Sequence, residues 1–214
     1  MDEDEDEDLP DLQESAEYDW QVIDACMDMC LGLAEALGPQ YSDVWKILSA
    51  HMIKYASSSD SRERSTSVGV IAESIKYMDQ NVTPFTERLF QLLMHRLSDE
   101  DQETRANATY AIGLLCLKSQ DTKAVLGEYQ KILRKLEALL GTGVEANPRL
   151  LDNSAGCISR MITAHPESVP LDHILPALAG LLPLKEDYEE NAPVFEMLIK
   201  LCSSPPLFLL SSSV

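Results

Sequence analysis

The sequence predicts an all-α fold, a right-handed α-solenoid made of two-helix repeats. Leucine, alanine, methionine, glutamate and lysine fill the apolar stretches of the 214-residue chain, and the alternating β-branched pattern of strands is scarce. The helical stretches also come in pairs that recur about every 40 residues. Two-helix repeats of that length are typical of solenoids of the HEAT or armadillo kind.

A lone helix is predicted first, over residues 17–38, and four helical hairpins follow it. The hairpins are expected at residues 39–56 and 61–78, 84–97 and 101–117, 123–140 and 147–164, and 170–182 and 187–202. In the second hairpin, Ala108, Ala111, Ile112 and Leu115 have the i, i+3, i+4, i+7 spacing of a buried helical face. The lone helix resembles the second half of a hairpin.

One position in the second helix of every repeat is polar. The repeats are aligned on apolar pairs that are expected to be buried: Ala25/Cys26, Val70/Ile71, Ala111/Ile112, Cys157/Ile158 and Val194/Phe195. The polar residues four positions before these pairs are Gln21, Thr66, Asn107, Asn153 and Glu190. They could simply start their helices, since Asn and Thr favour N-terminal caps. Alternatively, they form a polar ladder along the inner face of the solenoid, where they would hydrogen-bond an extended peptide or its ammonium groups.

Trp20 directly precedes the first ladder residue, Gln21, and is a further candidate. Its ring could pack between repeats, as large aromatic side chains commonly do. It could instead lie against a lysine stem or ammonium group in the groove.

The charge of the chain is acidic and unevenly distributed. The formal net charge is −19, and residues 1–19 hold 11 of the 36 acids without any Lys or Arg. Residues 1–16 are therefore predicted to be a disordered segment, followed by the repeat array at 17–203 and a frayed Ser- and Pro-rich terminus at 204–214. Such a surface attracts basic partners, and we expect no direct nucleic-acid partner and no membrane partner.

No catalytic residue, metal site or cofactor is predicted. Cys26 and Cys30 share a helix face, but no second pair of Cys or His ligands accompanies them, so we expect core thiols. The four histidines have no nucleophile at a recognisable motif distance, and there is no glycine-rich phosphate loop. The acids of residues 185–190 lack the spacing of a calcium loop. We therefore expect that the chain is not an enzyme.

Several segments resemble the importin-β (karyopherin-β) superfamily. The segment from Pro84 to Lys118 is similar to the HEAT consensus in its leucine pattern and in Asp99, Arg105 and Asn107. Residues 67–75, 151–162 and 182–190 resemble C-terminal repeats of the importin-4 branch. The resemblance covers the chain from about Glu17 to Cys202.

The resemblance implies a C-terminal fragment of a nuclear import receptor that shuttles between cytoplasm and nucleus. Its second helices would line a concave surface that binds basic cargo, namely ribosomal proteins and the lysine-rich tails of core histones, especially histones H3 and H4. By match of motif, Asn153, Glu189 and Glu190 would form a lysine pocket, which Asn107 would extend. The Ran GTPase would bind only N-terminal repeats that are absent from this chain.

Two alternatives from other functional classes remain open. A HEAT-repeat scaffold could hold together a phosphatase or chromatin complex through its outer helices or repeat edges, or the chain could be an acidic binder that resembles a histone chaperone. Uninterrupted apolar patches on the first helices would favour the scaffold. A polar ladder with acids at its C-terminal end favours the receptor.

Overall fold

A computed structural model describes residues 12–141 and 147–203 of the protein. Nine α-helices and no strands occur in these residues. The helices are α1 (Leu12–Leu37), α2 (Tyr41–Tyr55), α3 (Ser61–Met78), α4 (Thr86–Arg96), α5 (Gln102–Lys118), α6 (Thr122–Gly141), α7 (Pro148–Ala164), α8 (Leu171–Leu181) and α9 (Asn191–Ser203). Short 3-10 helices occur at Gly38–Gln40, Asp79–Phe85, Pro166–Ser168 and Tyr188–Glu190. The all-α prediction is confirmed.

The helices form two layers. In one layer α1, α3, α5, α7 and α9 pack side by side in that order. In the other layer α2, α4 and α6 each pack against the helix that follows them, and α8 packs against α7. The four predicted hairpins and the leading helix are therefore present, in the stacked arrangement of a HEAT solenoid.

The second helices begin at polar caps. The side chains of Asp60, Asp101 and Asn147 accept hydrogen bonds from backbone N–H groups in the first turns of α3, α5 and α7. In each of these three helices the polar ladder position lies six residues after the cap. The interpretation of the ladder residues as helix starts is therefore wrong for the central repeats.

Small residues allow α5 to pack closely between its neighbours. Ala108, Ala111, Ile112 and Leu115 are buried, as their spacing predicts. A Cβ atom on Gly113 would lie only 2.8 Å from the Cα of residue 157 in α7, which is closer than real Cβ contacts. The glycine is required here by the approach of the two backbones.

A charged network joins the first turn of α3 to the turn between α4 and α5. The buried Asp99 carboxylate pairs with Arg64 of α3 (Nη2–Oδ1 2.9 Å) and with Arg96 of α4 (Nη1–Oδ2 2.6 Å). It also accepts a hydrogen bond from the backbone N–H of Asp101. Burial alone would raise the pKa of Asp99, but the hydrogen bonds from Arg64 and Asp101 and the charges of both arginines lower it.

The first helix extends farther toward the N-terminus than the sequence predicts. Helix α1 begins at Leu12, so residues 12–16 belong to a helix rather than to the disordered segment predicted over 1–16. The sequence there, LQESA, contains Leu, Gln, Glu and Ala, which favour helices. Residues 1–11 and 204–214 lie outside the described residues, and the predictions for them stay predictions.

The predicted buried pairs are wrong at the two ends of the row. Ala25 and Cys26 of α1 are exposed and Cys30 is half-buried, so the core-thiol prediction fails for Cys26. Phe195 of α9 is 58% exposed, although its neighbour Val194 is buried. The reason is that, within the described residues, α1 and α9 have a neighbour in the row on only one side.

Candidate functional site

Two ladder asparagines link neighbouring second helices. The Nδ2 atom of Asn107 on α5 donates a hydrogen bond to the carbonyl oxygen of Ser65 on α3 (2.9 Å). The Nδ2 atom of Asn153 on α7 donates in the same way to the carbonyl oxygen of Ala106 on α5 (3.1 Å). Each acceptor directly precedes the ladder position of the previous repeat. These carboxamide donors therefore hold the repeats in register.

The acceptor oxygens of the same two carboxamides differ in their surroundings. The Oδ1 atom of Asn107 accepts a hydrogen bond from Arg149 Nη2 at 3.2 Å. Asn153 is 1% exposed, and its Oδ1 has no hydrogen-bond partner among the described residues. Each carboxamide thus uses one N–H of its Nδ2 group within the protein, and a ligand that hydrogen-bonds the Oδ1 atom of Asn107 would compete with Arg149.

The N-terminal part of the predicted ladder consists of Gln21 and Thr66, with Trp20 beside it. Gln21 is exposed, and Thr66 is half-buried. Trp20 is half-buried, and the guanidinium carbon of Arg62 lies 5.6 Å from its ring centroid. The ring therefore already contacts a cation of the protein itself. A role for these three ladder-side residues in binding a partner stays a prediction.

Glu190 is engaged in a buried ion pair. Its carboxylate accepts two hydrogen bonds from the Arg160 guanidinium, at 2.6 and 2.7 Å, and the residue is 1% exposed. One carboxylate oxygen would lie 1.3 Å from a Cβ on Gly156, so only glycine leaves room for it. Burial raises the pKa of Glu190, and the arginine opposes that rise. Glu190 therefore cannot offer the free carboxylate that the predicted lysine pocket requires of it.

An open acidic cleft lies beside this ion pair. It has a volume of about 650 Å³ and is lined by Glu73, Tyr110, Arg149, Glu186, Asp187, Tyr188, Glu189 and Glu190. Glu186, Tyr188 and Glu189 are exposed. Of the predicted pocket, the cleft thus contains Glu189 and Glu190, whereas Asn153 is not part of its lining.

A buried carboxylate holds the acidic loop that forms one wall. Asp152 of α7 is 1% exposed and accepts hydrogen bonds from the backbone N–H groups of Lys185, Glu186 and Asp187, at distances between 2.7 and 3.1 Å. All of these contacts are to backbone atoms, so the side chains of the loop are left to point elsewhere. Burial raises the pKa of Asp187, against the charge of Arg149, and the charge of Glu189 adds to the rise.

The opposite wall combines an aromatic ring with charged groups. The Tyr110 hydroxyl donates to Glu73 Oε1 at 3.1 Å, and Lys76 Nζ donates to Glu73 Oε2 at 3.0 Å. The guanidinium carbon of Arg160 lies 5.1 Å from the Tyr110 ring centroid. Burial and the neighbouring Glu73 charge raise the pKa of Tyr110, so the hydroxyl keeps its proton. The wall is thus ordered by protein contacts before any ligand arrives.

Arg149 is the single basic residue of the cleft lining. Its Nη1 lies 2.7 Å from Glu103 Oε2, and its Nε lies 3.9 Å from Asp187 Oδ2. The cleft otherwise presents carboxylates and two tyrosine rings, which suit an ammonium or guanidinium group. A basic ligand would have to share these carboxylates with Arg149.

Sequence reasoning missed Glu73, Tyr110, Tyr188 and the anchoring role of Asp152. A signal for two of them was present. Glu73 lies seven residues after the ladder position of α3, and Tyr110 lies three residues after that of α5. Both spacings return to the same face of a helix, so extending the ladder by one or two turns would have found them.

Neither metal chemistry nor a membrane span is indicated by the described residues. They contain no group of three or more His, Cys, Asp or Glu side chains that could hold a metal ion. No helix among them is both long and apolar enough to cross a bilayer. The buried thiols are poorly suited to nucleophilic chemistry, because burial raises the pKa of Cys157 to about 12 and that of Cys116 well above its ordinary value.

Comparison with known proteins decides the family. The chain is 38% identical over 199 residues to a protein of Schizosaccharomyces pombe named probable importin subunit beta-4, and this match covers 92% of the chain. The chain belongs to the importin-β family. It is also 30% identical to human Importin-4 over 196 residues and 31% identical to mouse Importin-4 over 184 residues, which are 89% and 82% of the chain. No protein-family model matches the sequence.

The match to these importins involves only part of each relative. The chain spans 18% of the fission-yeast and human proteins and 16% of the mouse protein. The HEAT-repeat architecture of the chain agrees with the family. The region of these relatives that corresponds to the acidic cleft therefore lies within less than a fifth of their length.

Proposed function

We propose that this chain is part of a nuclear import receptor and that its acidic cleft binds a basic segment of the cargo. The observation that carries the proposal is the lining of the cleft, where the exposed carboxylates of Glu186 and Glu189 flank the exposed Tyr188 ring and Arg149 is the one basic lining residue. The names of the relatives, importin subunit beta-4 and Importin-4, support the transport function. The chain does not act as an enzyme in this proposal.

The cleft would hold the cationic end of one long side chain. Glu186 and Glu189 would supply charge at the rim, and the exposed Tyr188 ring would cover the apolar stem of a lysine or arginine. Charge-assisted hydrogen bonds of this kind contribute roughly 1.5 to 3 kcal/mol each when they are shielded from water. In the predicted lysine pocket, Glu190 and Asn153 contact the ligand. In this proposal they do not, because both side chains are buried.

The cargo we propose is a lysine-rich segment, such as a tail of histone H3 or H4 or a basic extension of a ribosomal protein. Shuttling between cytoplasm and nucleus is part of the same proposal. Cargo binding is the share of the transport cycle that we assign to this chain, and binding of Ran is assigned to repeats outside it.

The described surface favours the receptor over a scaffold that works through its first helices. Such a scaffold should have apolar patches there. In the described part of the chain the strongly exposed large apolar side chains lie mainly on α1 and α9, and Ile47 of α2 is the single example on a first helix. The described first helices thus lack a patch of large exposed apolar side chains.

The test is a titration with an H3 tail peptide, unmodified and fully acetylated. We expect Glu186→Lys with Glu189→Lys to weaken binding of the unmodified peptide at least tenfold, because both substitutions replace an attractive charge by a repulsive one. Acetylation removes the ligand charge and should have a similar effect on the wild-type chain. Fluorescence anisotropy would measure both.

The matched control is Glu87→Lys with Glu137→Lys, which changes the net charge equally on exposed positions of α4 and α6. We expect it to weaken binding less than threefold. Equal losses in the two double variants would mean that the peptide senses only the overall charge, and the cleft would then not be the binding site.

A further inference from the structure

Helix α6 carries four cations, two of which have no carboxylate partner among the described residues. Lys123 and Arg134 are exposed, and no carboxylate among the described residues lies within 4.0 Å of their nitrogens. Lys135 donates a hydrogen bond to the Ser98 hydroxyl, and Lys131 pairs with Glu128 of its own helix at 2.7 Å. Four of the 17 bases of the chain thus lie within 13 residues.

These cations border an open groove between α4 and α6. The groove has a volume of about 870 Å³. The lining also contains three carboxylates, those of Glu87, Asp121 and Glu128, so the four cations are in excess by one. The half-buried Met94 supplies apolar surface from α4. A Cβ atom on Gly127 of α6 would meet no other atom within 4 Å, so there is open space above the backbone at this point. The groove therefore combines a small excess of positive charge with a partly apolar floor.

We propose that this groove docks an acidic peptide segment of a partner protein, with one apolar side chain of that segment seated over Gly127. Charge complementarity carries the choice of partner, because the surrounding chain has a net charge of −19 and would repel acidic segments elsewhere. This surface lies on the first-helix layer, and it does not depend on the proposed binding of basic cargo to the second helices.

The spacing of the cations sets the spacing of the acids in the ligand. Lys123 and Lys131 are eight residues apart, which is about 12 Å along a helix axis at 1.5 Å per residue. An extended peptide advances about 3.3 Å per residue. Carboxylates roughly four residues apart would therefore face the two lysines, and Arg134 would contact a third acid one or two residues farther on.

The test uses a fluorescein-labelled peptide of about 12 residues that contains Asp and Glu with one central Phe. Substitutions at Gly127 change the charge of the groove without disturbing the fold, because a side chain at this position would meet no other atoms near its Cβ. We expect Gly127→Glu to weaken binding at least fivefold and Gly127→Lys to weaken it less, because both side chains fill the space of the seated apolar residue but only the glutamate also repels the acidic ligand. A loss of equal size in both variants would overturn the electrostatic part of the proposal.

A second pair of variants controls for overall charge. Lys123→Ala with Arg134→Ala should weaken binding at least fivefold, whereas Lys46→Ala with Lys54→Ala, at exposed positions of α2, should change it less than twofold. Equal losses in the two double variants, or no binding to the wild-type chain at low salt, would overturn the proposal. So would binding that occurs only after residues 1–11 are deleted, because the groove would then serve the chain's own acidic segment.

Discussion

At the scale of single residues, Arg149 connects the polar ladder with the acidic cleft. Its guanidinium donates to the Asn107 carboxamide, pairs with Glu103 and lies near Asp187. Its side chain is 42% exposed, so water reaches these contacts and their net contribution to stability is small. Arg149 therefore acts on the cleft mainly through its charge, which partly neutralises the carboxylates that a basic ligand would need.

We expect Arg149→Ala to tighten the binding of a basic peptide threefold to tenfold, which is about 0.7 to 1.4 kcal/mol. The reason is that an internal cation no longer competes with the ligand for Asp187 or repels it from the cleft. Anisotropy titration at two salt concentrations measures the change, which should be larger at low salt.

Arg88→Ala is the matched control, since it removes one exposed cation from α4 in the other layer. An equal gain in that variant would show that only the net charge matters. Weaker binding of Arg149→Ala would show instead that the arginine is a part of the site.

At the scale of helices, the row α3, α5 and α7 depends on how closely the backbones approach. Asparagine donors cross from each helix to a carbonyl group of the preceding one, and Gly113 brings α5 against α7. The glycine of α6 is in a different environment, since a Cβ atom on Gly127 would meet no other atom within 4 Å.

This difference predicts opposite effects of one substitution. Gly113→Ala should lower the free energy of unfolding by about 1 to 3 kcal/mol, because the new methyl group overlaps the backbone of α7. Gly127→Ala should raise it by about 0.5 to 1 kcal/mol, because alanine favours helix and nothing blocks it. Urea denaturation followed by circular dichroism compares the two; stabilisation by Gly113→Ala would contradict the close approach.

Helix positions could be predicted from sequence because apolar spacing and caps are local signals. The register of the ladder was also recoverable, since Thr66, Asn107 and Asn153 follow their caps at one interval. The role of the ladder was not recoverable, because an asparagine that donates to a neighbouring helix has the same sequence pattern as one that faces a groove. Glu190 shows the same limit, since its buried partner, Arg160, lies 30 residues away along the chain.

At the scale of the whole molecule, buried carboxylates that are paired or hydrogen-bonded contribute to the stability of this highly acidic chain. Asp99 is the clearest case, because its carboxylate ties α3 and α4 to the start of α5. Its pKa is lowered in the folded protein, so folding favours the ionised form. The resulting stability is fully present above the unfolded pKa, near 3.9, and is lost as the pH falls through the lower folded value.

The comparison of wild type with Asp99→Asn isolates this contribution. We expect the wild-type chain to be more stable by a constant amount above about pH 5 and this advantage to shrink below about pH 4, as the carboxylate becomes protonated. Denaturation midpoints measured from pH 3 to pH 7 test the sign. An advantage that grows on acidification would show that the pKa of Asp99 is raised instead.

The anchoring of the acidic loop by Asp152 has a consequence for how such a receptor could change its ligands. Asp152 holds residues 185–187 entirely through their backbone N–H groups, which every amino acid except proline provides. The side chains at these positions can therefore be exchanged without disturbing the anchor. Over evolution, or in a designed variant, the loop could acquire a new ligand preference while the solenoid beneath it stays the same.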